Sequence, residues 1–95
     1  MLFSFLFFLT IIAGQLDISS GHSSRALVSF LKAAKLNPLS PLPFLYLGHH
    51  YVKAGDWEKA RKCYQKSFKL DPTSEEAGAA LSDVYRIQVL TLNNY

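Results

Sequence analysis

The stretch PLPFLYLGHHYVKAGDWEKARKCYQKSFKLDPTS, residues 41–74, decides the fold because its small and aromatic residues recur at helical spacing. Pro41 suits the first turn of one helix and Gly55 suits its end. Asp56 can cap a second helix, which Pro72 stops. The stretch therefore predicts two antiparallel helices. Their packing positions are predicted to be Phe44, Leu47, Gly48, Tyr51, Ala60, Tyr64, Ser67 and Pro72.

The same pattern recurs with a period of 34 residues. Matching positions include 14 and 48, 26 and 60, 30 and 64, and 38 and 72. A helix–turn–helix unit of this period is typical of the tetratricopeptide repeat. We therefore predict an all-α tetratricopeptide-repeat helical solenoid of about two and a half antiparallel helix pairs. Its predicted parts are an apolar segment at 1–21, repeats at 22–88 with the central one at 41–74, and a non-repeat tail at 89–95.

The helix boundaries follow from end signals and from the repeat period. The first helix of the preceding copy is predicted to run from Phe8 to Ser20, where Thr10 and Asp17 stand at packing positions. The predicted N-cap residues of the later helices are Ser40, Asp56 and Thr73.

The residue content argues against catalysis and metal binding. The 95-residue chain has a net charge of +3 and one cysteine, Cys63. Adjacent His49 and His50 would point about 100° apart on a helix, so they cannot share a metal ion as an i, i+4 pair could. The sequence offers no nucleophile–base pattern and no glycine-rich phosphate loop. We predict a protein that is not an enzyme and has no metal, cofactor or catalytic residue.

The apolar run MLFSFLFFLTIIAG at residues 1–14 bears on location. Its apolar part is shorter than the about 20 residues that span a bilayer, so a membrane role is not expected. Its length suits the core of a signal peptide, although no Lys or Arg precedes it. A secreted or membrane-associated small helical protein therefore stands as an alternative, and the secretory route stays open.

A solenoid of this kind binds its partners in the concave groove. His49 is expected to face that groove and His50 the outer side. Co-chaperones with this repeat clamp a C-terminal carboxylate through Lys and Asn at positions that hold Leu45 and His49 here, which disfavours that function. The predicted groove residues are Leu45, His49, Val52 and Lys53 from the central repeat, and Glu76, Ala79, Asp83 and Arg86 from the next.

Lysines form a stripe along the second helix of the central repeat and recur one period earlier. A solvated face is the favoured interpretation, and direct contact with RNA or with a membrane is the alternative. The stripe comprises Lys59, Lys62, Lys66 and Lys69, with Lys32 and Lys35 in the preceding copy.

The segments RALVSFLKAAKLNP, FLYLGHHYVKAGDWEKARKCYQKSFKLDP and TSEEAGAALSDVY, within residues 25–85, resemble the tetratricopeptide scaffold subunit of the superkiller complex. The resemblance implies a cytoplasmic, non-catalytic scaffold. In that family the solenoid holds a helicase subunit and a WD-repeat subunit, in an assembly that feeds RNA to the exosome for 3′-to-5′ decay. Family members are far longer, so the chain is expected to be a fragment. A nuclear location and a generic tetratricopeptide adaptor remain open alternatives.

Overall fold

Five α-helices in succession form the computed structural model, which describes residues 2–93. They are α1 (Leu2–Ser19), α2 (Ser23–Leu36), α3 (Pro41–Ala54), α4 (Trp57–Leu70) and α5 (Glu75–Asn93). Helix α1 packs on α2, α3 packs on α4, and α5 packs on α4 as the first helix of a third pair. The predicted all-α architecture of about two and a half helix pairs is confirmed.

The ends of the central helices lie where the sequence predicts them. Helix α3 begins at Pro41, and Gly55 follows it with φ 77°, a left-handed conformation that glycine adopts without steric cost. The Asp56 side chain then accepts a hydrogen bond from the Lys59 backbone N–H at 3.1 Å and caps α4. These contacts hold the two helices antiparallel across a very short turn.

Two of the predicted N-caps differ in the structure. Ser40 occupies the N-cap position of α3, but its side chain makes no capping hydrogen bond. Helix α5 is capped by Ser74, whose hydroxyl accepts a hydrogen bond from the Ala77 N–H at 3.1 Å. The Thr73 hydroxyl instead contacts Asp71 Oδ1 at 2.5 Å, because α5 begins one residue later than the Thr73 cap requires. The prediction of a Thr73 cap was wrong.

The core is continuous from one helix pair to the next. One cluster joins α1, α2 and α3, and the other joins α3, α4 and α5, so α3 contributes to both. Such sharing is how a stack of helix pairs buries apolar surface that no single pair could cover. The buried residues are Phe7, Ile11, Ala26, Phe30, Ala33 and Leu47 in the first cluster, and Leu45, Ala60, Tyr64, Ala77 and Val84 in the second.

Glycine permits a close approach of the two helices in each complete pair. A Cβ atom on Gly48 would lie 2.5 Å from Cδ1 of Tyr64, and one on Gly14 would lie 2.6 Å from Cε1 of Phe30. Both distances are far below van der Waals contact, so an aromatic ring occupies the space of the missing side chain. The 34-residue period thus corresponds to one packing device used twice.

Helix α1 is longer than the sequence predicts and lies largely exposed. It begins at Leu2 rather than Phe8, and it is long and apolar enough to cross a membrane by length and composition. That criterion is also met by signal sequences and by buried core helices, but only 17% of α1 is buried. At the other end of the chain, residues 89–93 continue α5.

Candidate partner-binding groove

The first helices of the three pairs meet along one face of the molecule. Gln15 on α1 donates a hydrogen bond from Nε2 to the Tyr46 hydroxyl on α3 at 2.6 Å. Farther along α3, Nε2 of His49 lies 3.4 Å from Glu76 Oε1 on α5. Polar contacts therefore link α1 to α3 and α3 to α5. This face is the candidate groove.

His49 is the central polar side chain of the groove. Its Nδ1 atom lies 2.6 Å from the Tyr64 hydroxyl, and the two rings meet edge to face at 5.4 Å. Because the Glu76 carboxylate can only accept, we assign the ring hydrogen to Nε2, so that Nδ1 accepts from the Tyr64 O–H. His49 thereby connects α3 with both α4 and α5.

Tyr64 combines a packing role with this polar contact. Its ring fills the space above Gly48 and is only 2% exposed. Burial raises the pKa of Tyr64 to about 12, with smaller contributions from the carboxylates of Glu76 and Asp83 and from the Cys63 thiolate that forms at high pH. The hydroxyl is therefore protonated at neutral pH and available as a donor to His49.

A cavity of about 450 Å³ opens between α1, the start of α2 and α3. Its walls include Ile18 and Tyr46, and its rim carries His49, His50 and Lys53. The expectation that His50 faces outward was wrong, because both histidines border this cavity. Lys53 is exposed and also borders this cavity.

Leu45 is a core residue and does not present its side chain to a partner. It is 6% exposed and belongs to the cluster that contains Ala77 and Val84 of α5. The prediction that Leu45 lines an open groove is corrected, because α5 packs over the position. Val52 is half-buried against the same cluster, so only part of it faces solvent.

The remaining predicted groove residues lie on α5. Asp83 and Arg86 are exposed and form an ion pair, with Arg86 Nη2 at 2.6 Å from Asp83 Oδ1. An exposed pair of this kind contributes little to stability. Both side chains remain free to exchange this contact for one with a partner. Whether any of these groove residues binds a partner stays a prediction.

The residues predicted to pack the central repeat lie on α3 and α4, apart from Pro72, and Leu47 packs against the preceding helix pair. Leu47, Gly48, Ala60, Tyr64 and Ser67 are buried, and the Ser67 hydroxyl donates to the Pro41 carbonyl at 3.0 Å. Phe44 and Tyr51 are partly buried beside them, and Pro72 follows the end of α4.

Sequence reasoning missed Tyr46 as a groove residue, and it placed Glu76 in the groove without predicting its contact with His49. The Tyr46 ring stacks on Phe30 at 4.9 Å between ring centres, which ties α3 to the preceding pair. The spacing could have revealed Tyr46, since it precedes His49 by three residues and therefore shares its face of α3. The pairing of His49 with Glu76 depends on helix packing and had no such signal.

Two lysines of the stripe on α4 are engaged with aromatic rings. The Lys59 ammonium lies 5.5 Å from the centre of the Tyr51 ring, and that of Lys66 lies 5.9 Å from the centre of the Phe44 ring. Contacts of this length are cation–π interactions, which makes part of the stripe structural. Glu58 pairs with Arg61, and this hydrogen bond lowers the pKa of the Glu58 carboxyl.

Among residues 2–93, no group of three or more His, Cys, Asp or Glu side chains is placed to hold a metal ion. The His49–Glu76 contact joins only two such groups. Cys63 is half-buried, and burial raises the pKa of its thiol, so the more reactive thiolate is disfavoured at neutral pH.

Comparison with known proteins gives these observations a family context. The tetratricopeptide repeat profile matches residues 41–74. The central stretch is a tetratricopeptide repeat. A solved structure of the second tetratricopeptide-repeat domain of Spaghetti (RPAP3), bound to an HSP90 peptide, superimposes with a TM-score of 0.81 at 20% identity. It covers 92% of this chain and 80% of that one, which confirms the tetratricopeptide-repeat fold.

Two curated tetratricopeptide-repeat relatives are much closer in sequence. Tetratricopeptide repeat protein 37 of Xenopus laevis is 50% identical over 62 residues, and superkiller complex protein 3 of Homo sapiens is 48% identical over 62 residues. Each match covers 64% of this chain and 4% of the relative. The chain thus contains a tetratricopeptide repeat at residues 41–74 and resembles a short segment of superkiller complex protein 3, as the sequence motifs indicate.

Proposed function

We propose that this chain is a non-catalytic protein-interaction scaffold segment of the superkiller type. The observation that carries the proposal is the identity of 48–50% over 62 residues with tetratricopeptide repeat protein 37 and superkiller complex protein 3. The fold supports it, because solenoids of helix pairs present extended concave surfaces for partners and are generally used as scaffolds.

The proposed partners are the helicase and WD-repeat subunits of the superkiller complex, in the cytoplasm, where the assembly supports exosome-linked 3′-to-5′ RNA decay. The chain spans 4% of the length of these curated relatives. We therefore propose that it supplies one local contact within such an assembly rather than the whole scaffold.

The groove chemistry favours a polar partner surface over an acidic peptide tail. The solved neighbour binds an HSP90 peptide, SRMEEVD. In this chain His49 already contacts Tyr64 and the Glu76 carboxylate, so an acidic tail there would lie beside a negative charge. Lys53 at the cavity rim is the exposed cation best placed to contact a partner.

The test is binding of the purified chain to purified recombinant helicase and WD-repeat subunits of the superkiller complex, each measured separately by biolayer interferometry. Charge reversal at the cavity rim, Lys53→Glu, is expected to weaken binding about tenfold or more, as loss of a close charge contact does. Lys69→Glu makes the same charge change at an exposed site on α4 and serves as the matched control.

Binding of either subunit that is sensitive to Lys53→Glu but not to Lys69→Glu supports the proposal. Binding that both variants weaken equally would indicate general electrostatic attraction and would refute a groove contact. Absence of binding to both subunits, with a folded helical chain, would refute the superkiller partner assignment.

A further inference from the structure

The outer side of α1 is an exposed apolar surface of unusual width. Successive residues of an α-helix lie about 100° apart around its axis. The exposed side chains of α1 therefore cover an arc of about 220° around that axis, with Phe8 at one edge, Phe3 at the other and Leu9 near the centre. Leu2 and Ile12 lie within the arc and are 69% and 50% exposed. Only the narrow opposite side, which includes Phe7, packs against the rest of the chain.

The width of this arc distinguishes lipid from a protein partner. A helix that packs on a protein surface needs an apolar stripe of only about 100°. A single protein surface would leave roughly half of an arc of about 220° in water, whereas acyl chains surround a helix from several sides. A second copy of this chain, with its α1 packed against this α1, would likewise cover only about half of the arc.

The polar groups of α1 are also compatible with a lipid environment. The first charged residue of the helix is Asp17, near its C-terminal end. The Thr10 hydroxyl donates within the helix, at 2.9 Å from the Leu6 carbonyl oxygen and 2.7 Å from that of Phe7. A hydroxyl bonded in this way leaves no unsatisfied donor in an apolar medium.

Helix α2 supplies the polar side that α1 lacks. Arg25, Lys32 and Lys35 are exposed on α2, and Arg25 Nη2 lies 3.4 Å from Asp17 Oδ1. The α1–α2 pair therefore combines a predominantly apolar helix, whose one charged residue is Asp17, with one basic helix. Because Gly14 of α1 lies directly against α2, spanning a bilayer would either break this packing or draw the cations into hydrocarbon.

From these observations we propose that α1 docks flat into the surface of a lipid bilayer while it stays packed on α2. The exposed arc enters the headgroup–acyl boundary, and Lys32 and Lys35 lie near the anionic headgroups. The tetratricopeptide repeat in α3 and α4, followed by α5, then projects from the membrane. This inference is independent of the proposed scaffold function, because the arc on α1 is separate from the groove residues His49 and Lys53.

The test is flotation of the purified 95-residue chain with vesicles of phosphatidylcholine and phosphatidylserine. The parent chain is expected to float with the vesicles and to remain bound at high salt, since apolar burial is not screened. Leu9→Lys, at the centre of the arc, is expected to weaken the partition coefficient about tenfold or more. Leu39→Lys and Leu92→Lys change residues at least as exposed, away from α1, and should leave it unchanged.

Depth of insertion gives an independent readout of the same proposal. A tryptophan introduced by Phe5→Trp, with the native one removed by Trp57→Phe, is expected to shift its emission to the blue on vesicle binding and to be quenched by brominated lipid. Trp57 in the parent chain lies on α4 and should show neither change.

Several results would overturn the proposal. They are no flotation of the parent chain, release at high salt, or equal loss of binding in Leu9→Lys and Leu39→Lys. A lipid-free dimer that Leu9→Lys converts to monomer, without vesicle binding by either protein, would assign the arc to a second copy instead. Circular dichroism of each variant confirms that the helices are retained.

Discussion

Gly48→Ala tests whether the close approach of α3 and α4 depends on the absence of a side chain. The added Cβ would lie 2.5 Å from Cδ1 and 2.9 Å from Cζ of Tyr64. Normal carbon–carbon contacts lie at about 3.5–4.0 Å, so the ring or a helix must move by roughly 1 Å. Tyr64 cannot move freely, because it is 2% exposed and its hydroxyl is bonded to His49.

Two opposing contributions set the size of the stability change in Gly48→Ala. Overpacking of this severity costs about 3 kcal/mol, the upper end of the usual range. Alanine has a higher helix propensity than glycine, so the replacement also stabilises the folded chain by about 1 kcal/mol. The net loss in free energy of unfolding is therefore about 2 kcal/mol for Gly48→Ala. For a domain of this size, that lowers the Tm by about 8–16 °C.

The assay is thermal and urea unfolding followed by circular dichroism. Gly78→Ala is the matched control, since its Cβ would lie 3.2 Å from Cε2 of the partly buried Phe68. This variant keeps the propensity gain with a much weaker clash, so its stability should stay within about 1 kcal/mol of the parent. A Gly48→Ala chain that melts at or above the parent temperature would refute the assigned helix interface.

Three further predictions follow from individual contacts. Asp56→Ala should lower the free energy of unfolding by about 1 kcal/mol through loss of a cap, whereas Ser40→Ala, which removes no capping bond, should change it by less than half as much in urea unfolding. The pKa of Tyr64 is about 12 in the folded chain and 10.0 for the free side chain. Its contribution to the free energy of unfolding is therefore complete below pH 10 and is lost as pH rises toward 12. Tyr64→Phe should reduce the steepness of alkaline unfolding, and Tyr85→Phe, at a more exposed ring, should not. Cys63 should react with iodoacetamide many times more slowly in the folded chain than in urea, because burial raises its pKa and limits access; equal rates would contradict its placement.

The turn between α3 and α4 and the packing within each helix pair could be predicted from the residues themselves. Gly55 and Asp56 set the turn between α3 and α4 by local conformational preference and a hydrogen bond three residues away. The period of 34 identified the close-packed positions Gly14 and Gly48, because each contact lies within one helix pair. Contacts between residues this close in sequence can be predicted from residue type and spacing.

Contacts between helix pairs could not be predicted in the same way. Leu45 has the periodic position of a groove residue, but α5 covers it in the core. His49 meets Tyr64 and Glu76, which lie 15 and 27 residues farther along the chain. His50 borders a cavity that exists only because α1 and α3 lie side by side. The relative rotation and offset of neighbouring pairs decide these contacts.

The sequence by itself determined the helix pairs, their turns and the glycine–aromatic packing within each pair. Those features depend on backbone conformation and on side chains repeated at a fixed spacing. Only the tertiary structure decided which apolar side chains are covered. Phe7 and Leu9 belong to the same apolar run, but the direction in which α1 packs buries the first and leaves the second exposed to solvent.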